Sequence, residues 1–123
     1  GTIVALGAFG GFVHVLRVGT GERIWTFEAH RTVVTMVILD RSNRWMLTGG
    51  NEGDLRLWDL ERRQLMAETT LPDQPDKPLS AAFSPTGRKL YVGTSRGLVA
   101  EYQVVGPGGA MESPRPSPPA RPR

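Results

Sequence analysis

No cysteine occurs in the chain, and its two histidines, His14 and His30, have no third to join them. Disulfides and thiolate metal sites are therefore excluded, and a histidine-built zinc centre lacks ligands. Long apolar runs are missing too. The best, Val33 to Leu39, is interrupted by Thr35 and falls far short of the ~20 residues that a spanning helix needs. No membrane span is expected, and nothing resembles a signal peptide. Nor is there an excess of one charge. The 123 residues carry 15 Lys+Arg against 12 Asp+Glu. Up to residue 105 the balance is 12 against 11, and the remaining excess falls in the last residues. Asp and Glu mixed evenly among Arg give no nucleic-acid or phosphoinositide footprint, so no nucleic-acid partner is expected.

Sites for chemistry are equally scarce. Gly19-Thr20-Gly21 opens like a dinucleotide loop but lacks the third glycine and the following helix. Gly49-Gly50-Asn51-Glu52-Gly53 has no Lys-Ser or Lys-Thr to hold a phosphate, so both stretches read as turns. No serine sits in a nucleophile elbow, and the carboxylates are scattered rather than paired. No enzyme activity, cofactor, catalytic residue or metal is expected.

What the chain does have is a repeat. Gly7 and Gly11 recur as Gly49 and Gly53 after a shift of 42, and as Gly93 and Gly97 after a further 44. A strand-like alternation follows each second glycine, with Leu16, Trp58 and Tyr102 falling in one column. Asp40-Arg41-Ser42-Asn43 and Ser84-Pro85-Thr86-Gly87 are turns between apolar stretches. The middle unit then reads as four strands: Val33 to Leu39, Arg44 to Gly49, Asp54 to Asp59 and Gln64 to Thr70. The chain starts on Gly1 and enters a strand at once, so an upstream segment is expected.

Four short strands per 40 to 45 residues, with Trp58-Asp59 closing the third and Ala29-His30 ahead of the unit, resemble the WD-repeat family of β-propellers over roughly residues 2 to 105. The resemblance implies an all-β fold: a partial β-propeller of four-stranded antiparallel blades whose ring is not complete in this chain. Residues 1–28 form a partial blade with its second, third and fourth strands, 29–71 a complete blade, and 72–105 a last blade lacking its outer strand. Residues 106–123 form a disordered Pro/Arg-rich tail. The family's structural hydrogen-bonded network maps onto His30, Thr48, Glu52 and Trp58, with Glu52 one methylene longer than the family's Asp. Asp59 orients the turn that follows it. The flanking units lack these residues and rely on packing.

The implied function is a protein-interaction scaffold inside the cell, cytoplasmic or nuclear, whose partners are other proteins or peptides and the remaining blades of its own propeller. An alternative is an accessory or substrate-receptor propeller of a larger enzyme or ubiquitin-ligase assembly. The face expected to meet partners carries Phe9, Arg31, Thr32, Asn51, Asp76, Lys77 and Arg96, with ordinary solvated loops as the plainer reading. In the tail, Pro116, Pro119 and Arg121 have the spacing that a Src-homology-3 groove reads, against the plainer reading of an inert terminus.

Overall fold

The alternating apolar stretches become strands, joined by one short strand, Ala110–Glu112, that shows no alternation. The structure, a computed structural model describing residues 2–105 and 110–112, arranges eleven of them in three antiparallel sheets. The first sheet holds β1 (Ile3–Gly7), β2 (Phe12–Arg17) and β3 (Arg23–Glu28) in that order. The second holds β4 (Val34–Leu39), β5 (Trp45–Gly50), β6 (Asp54–Asp59) and β7 (Gln64–Thr70). The third holds β8 (Pro78–Phe83), β9 (Lys89–Thr94), β10 (Val99–Val105) and β11 (Ala110–Glu112), with β11 outermost.

The repeat extends to irregularities that sequence reading does not predict. The register shifts at Val34/Met36 where β4 meets β5, and again at Pro78/Ser80 where β8 meets β9. A second pair of shifts falls at Val15/Leu16 and Leu57/Trp58. Each bulge adds a residue to one strand and strengthens its twist, so equivalent bulges give the sheets a common shape.

The expectation of a last sheet without its outer strand is overturned. Ala110, Met111 and Glu112 pair with Val105, Val104 and Gln103, occupying that place. Met111 is buried among Leu55, Leu57 and Tyr102, so one apolar side chain supplements a short ladder. The strand also falls inside the span assigned to a disordered tail, which is corrected at these residues.

The core lies between sheets rather than within one. Val13 and Val15 of the first sheet pack against Met46 and Trp58 of the second. Beside them Trp25 stacks on Phe27 at 3.8 Å between ring centroids, and both rings meet Trp58 edge-on. On the other face of the second sheet, Leu47, Leu55 and Leu57 pack against Leu90, Val92 and Tyr102. The middle sheet is thus buried on both sides. The outer sheets leave apolar residues uncovered on their far faces, Leu6 at 51% exposure on one and Val99 at 50% on the other.

Candidate interaction face

Chain reversals gather at two opposite rims. At the first rim lie the turns β1–β2, β5–β6 and β9–β10 and the loops β3–β4 and β7–β8. They are tied together by Ala29 N–H to Gly11 O at 2.8 Å, Asn51 N–H to Val33 O at 3.1 Å, Leu71 N–H to Gly53 O at 2.9 Å and Ser95 N–H to Lys77 O at 2.9 Å. Gly11 has φ 82°, and a Cβ there would collide with the His30 carbonyl. Glycine is needed for the two turns to meet.

Behind this rim a polar chain runs into the core. Trp58 Nε1–H donates to Thr48 Oγ1 at 2.9 Å, and the Thr48 hydroxyl lies 2.7 Å from His30 Nε2. His30 Nδ1 bonds Asp54 Oδ2. Burial pushes the His30 imidazole below its ordinary pKa despite the opposing pull of Asp54. A neutral ring fits every contact: Nε2 accepts from Thr48 and Nδ1–H donates to Asp54. Burial, the largest single influence, would raise the Asp54 carboxyl, but the His30 bond and charge, a backbone N–H and the nearby Arg56 together hold Asp54 below the usual carboxylate range. Each member satisfies a neighbour that is buried and would otherwise lack a partner.

Glu52 has no place in this chain. It sits exposed on the β5–β6 turn, and the acid beside His30 is Asp54, the first residue of β6. The reason is local. A Cβ at Gly50 would fall against both the Asp54 carboxylate and His30 Nδ1, so the glycine clears the space in which acid and imidazole meet.

Asp59 lies at the other end of β6 and is fully buried. Its Oδ1 accepts the backbone N–H groups of Glu61 at 2.9 Å and Arg62 at 3.3 Å, and Oδ2 pairs with Arg44 at 3.2 Å. Burial would raise this carboxyl, but the Arg44 bond and the two N–H groups hold it below the usual range. The Arg44 contact was not read from sequence, because it joins positions 15 apart across β5 and β6.

In the third sheet Asp76 plays the part that His30 plays in the second. It was expected on the partner face, yet it is only 5% exposed. Its Oδ1 accepts from Ser95 Oγ at 2.9 Å, Lys77 N–H at 2.9 Å and Arg96 N–H at 3.2 Å. Burial works against its charge, but the Thr94 and Ser95 hydroxyls and these N–H groups keep Asp76 ionised below the usual carboxylate range. Asp76 therefore fastens the β7–β8 loop to the β9–β10 turn and is unavailable to a partner. This sheet does not rely on packing alone.

The other expected face residues lie on one rim, with exposed side chains: Phe9, Arg31, Thr32, Asn51, Lys77 and Arg96. Phe9 is 91% exposed, although its backbone bridges to Val33. A cleft of about 180 Å³ opens between the second and third sheets, lined by Asn51, Glu52, Gln74, Pro75, Asp76, Lys77 and Ser95. Pro116, Pro119 and Arg121 lie outside the described residues.

Comparison with known proteins agrees with this architecture. The model of the WD domain, G-beta repeat, matches residues 21–59. WD repeat-containing protein VIP3 of Arabidopsis thaliana is 28% identical over 117 residues, 85% of this chain and 36% of that protein. Eukaryotic translation initiation factor 3 subunit I of Candida albicans is 34% identical over 70 residues, 57% of this chain and 19% of its own length. DNA damage-binding protein 2 of Gallus gallus is 34% identical over 91 residues, 72% of this chain and 18% of its length. The chain thus spans 18% to 36% of the length of these three relatives. Among solved structures, the β-propeller domain of Cps50 (Swd1) from Myceliophteria thermophila superposes with a TM-score of 0.73 at 17% identity, over 85% of this chain and 32% of that one. With three repeating sheets, recurrent bulges and the Trp58–Thr48–His30–Asp54 chain, the protein belongs to the WD-repeat family and folds as part of a β-propeller.

Proposed function

We propose that this chain is a non-catalytic, intracellular interaction module: part of a propeller that holds protein or peptide partners on the rim carrying Phe9, Arg31, Thr32, Asn51, Lys77 and Arg96. The observation that carries the reading is Phe9. An almost fully exposed aromatic ring costs solvation, yet its backbone is held by the bridge to Val33 and by Ala8 N–H to Phe12 O at 2.8 Å. An anchor presented on an ordered base loses little freedom on binding, and aromatic and Arg side chains dominate interface energetics. Arg31 and Arg96 on the same rim can grip carboxylates in two-pronged fashion. The three relatives described above include a translation initiation factor subunit and a DNA damage-binding protein, names in keeping with work inside the cell.

The test combines Phe9→Ala, Arg31→Glu and Arg96→Glu. Captured proteins should fall at least tenfold by quantitative mass spectrometry, with the melting temperature unchanged, since none of the three side chains is buried. Full retention of partners would remove this rim as the binding face.

A further inference from the structure

We propose that the opposite rim is a second binding surface, built for an acidic protein segment that also carries apolar side chains. This goes beyond the reading above and does not depend on it.

Charges that alternate evenly along the chain separate once it folds. The turns of the second rim, 17–23, 40–44, 59–63 and 84–89, hold eight cations and four carboxylates. The loops of the first rim, 7–12, 28–34, 50–54, 70–78 and 94–99, hold three cations and five carboxylates. Some cations of the second rim are satisfied internally: Arg17 pairs with Glu22, Arg44 and Arg62 with Asp59, and Lys89 with Glu101. Arg23, Arg41, Arg63 and Arg88 are exposed and have no acidic partner among the described residues. Four unpaired guanidinium groups on one rim raise the local concentration of anions and suit carboxylates or phosphates.

Between the first and second sheets this rim also opens a groove of about 240 Å³. Half-buried Ile3, Ile24 and Leu60 line it, with Arg17, Arg44 and the exposed carboxylate Glu61 at its edges. The groove decides between anions. Aliphatic walls gain by covering apolar side chains, which a protein segment has and a phosphate backbone lacks. No aromatic ring lines the groove on which a base could stack. The occupant is therefore an extended Glu/Asp-rich segment that places an aliphatic side chain in the groove and carboxylates on the arginines.

The experiment measures binding of the full chain to a fluorescent peptide in which Glu alternates with Leu, beside poly-glutamate and a single-stranded oligonucleotide. The Glu/Leu peptide should bind more tightly than either, and weaken as salt is raised. Reversing Arg23, Arg41, Arg63 and Arg88 to Glu should cost about tenfold or more while the melting temperature holds, since all four are exposed. Substituting Phe9, Arg31 and Arg96 on the first rim should leave this binding alone. Absence of peptide binding, tighter binding of the oligonucleotide, survival of binding after the four reversals, or loss on the first-rim variant would each overturn the proposal.

Discussion

His30 is where a single residue's surroundings set a measurable property of the whole chain. Its ring is neutral because burial disfavours the imidazolium, and its two nitrogens are committed to Thr48 and Asp54. Between pH 6.5 and the lower folded value, the unfolded chain takes up a proton that the folded chain resists. His30 therefore contributes stability fully above pH 6.5 and loses it as the pH falls. Asp54, held below 3.8 in the fold, adds a second loss at more acid pH, in the same direction. Denaturant midpoints should thus drop between about pH 7 and pH 5, more steeply for wild type than for His30→Asn. Parallel pH curves for the two would show that His30 is not the titrating group. Three of the four members of this chain, His30, Thr48 and Trp58, were legible through the resemblance to the family, whose network maps onto these positions of the middle unit. The fourth was not. Which acid reaches the imidazole depends on where β6 begins and on the space at Gly50, and Glu52 and Asp54 flank Gly53 with no difference in pattern to separate them.

Among the strands, those with a full alternation were readable almost to the residue: β6 and β7 coincide with Asp54 to Asp59 and Gln64 to Thr70. β11 was missed for the converse reason. Three residues, with Met111 as the one large apolar side chain, carry no period, and their ladder exists because β10 offers an edge. Val104 N–H points toward β9, bonding Arg88 O at 2.8 Å. By alternation the Gln103 and Val105 amides therefore face β11. Deleting Ala110–Glu112 should accelerate amide hydrogen exchange at Gln103 and Val105 by at least tenfold while leaving the amides of β6 unchanged. Unaltered exchange at both would mean that β11 adds nothing to the sheet's protection.

At the scale of the molecule, two things emerge that no local window contains. One is charge separation between the rims, invisible along a chain whose charges alternate and apparent only when turns 17–23, 40–44, 59–63 and 84–89 share a face. The other is the pair of uncovered sheet faces. Leu6 and Val99 stand half-exposed on sheets whose opposite sides are core, so the chain on its own should bind a dye for apolar surface and self-associate. Leu6→Lys with Val99→Lys should reduce both signals without unfolding the middle sheet, and undiminished dye binding would place the sticky surface elsewhere. The two seams between sheets also differ optically. Trp25, Phe27 and Trp58 form one coupled set of rings across the first seam, while Tyr102, hydrogen-bonded to Thr70 O at 3.1 Å, belongs to the second. Trp45 packs against that second cluster as well, so indole emission, at longer wavelengths than phenol, reports on both seams, while the light of the Tyr102 phenol reports on the second alone.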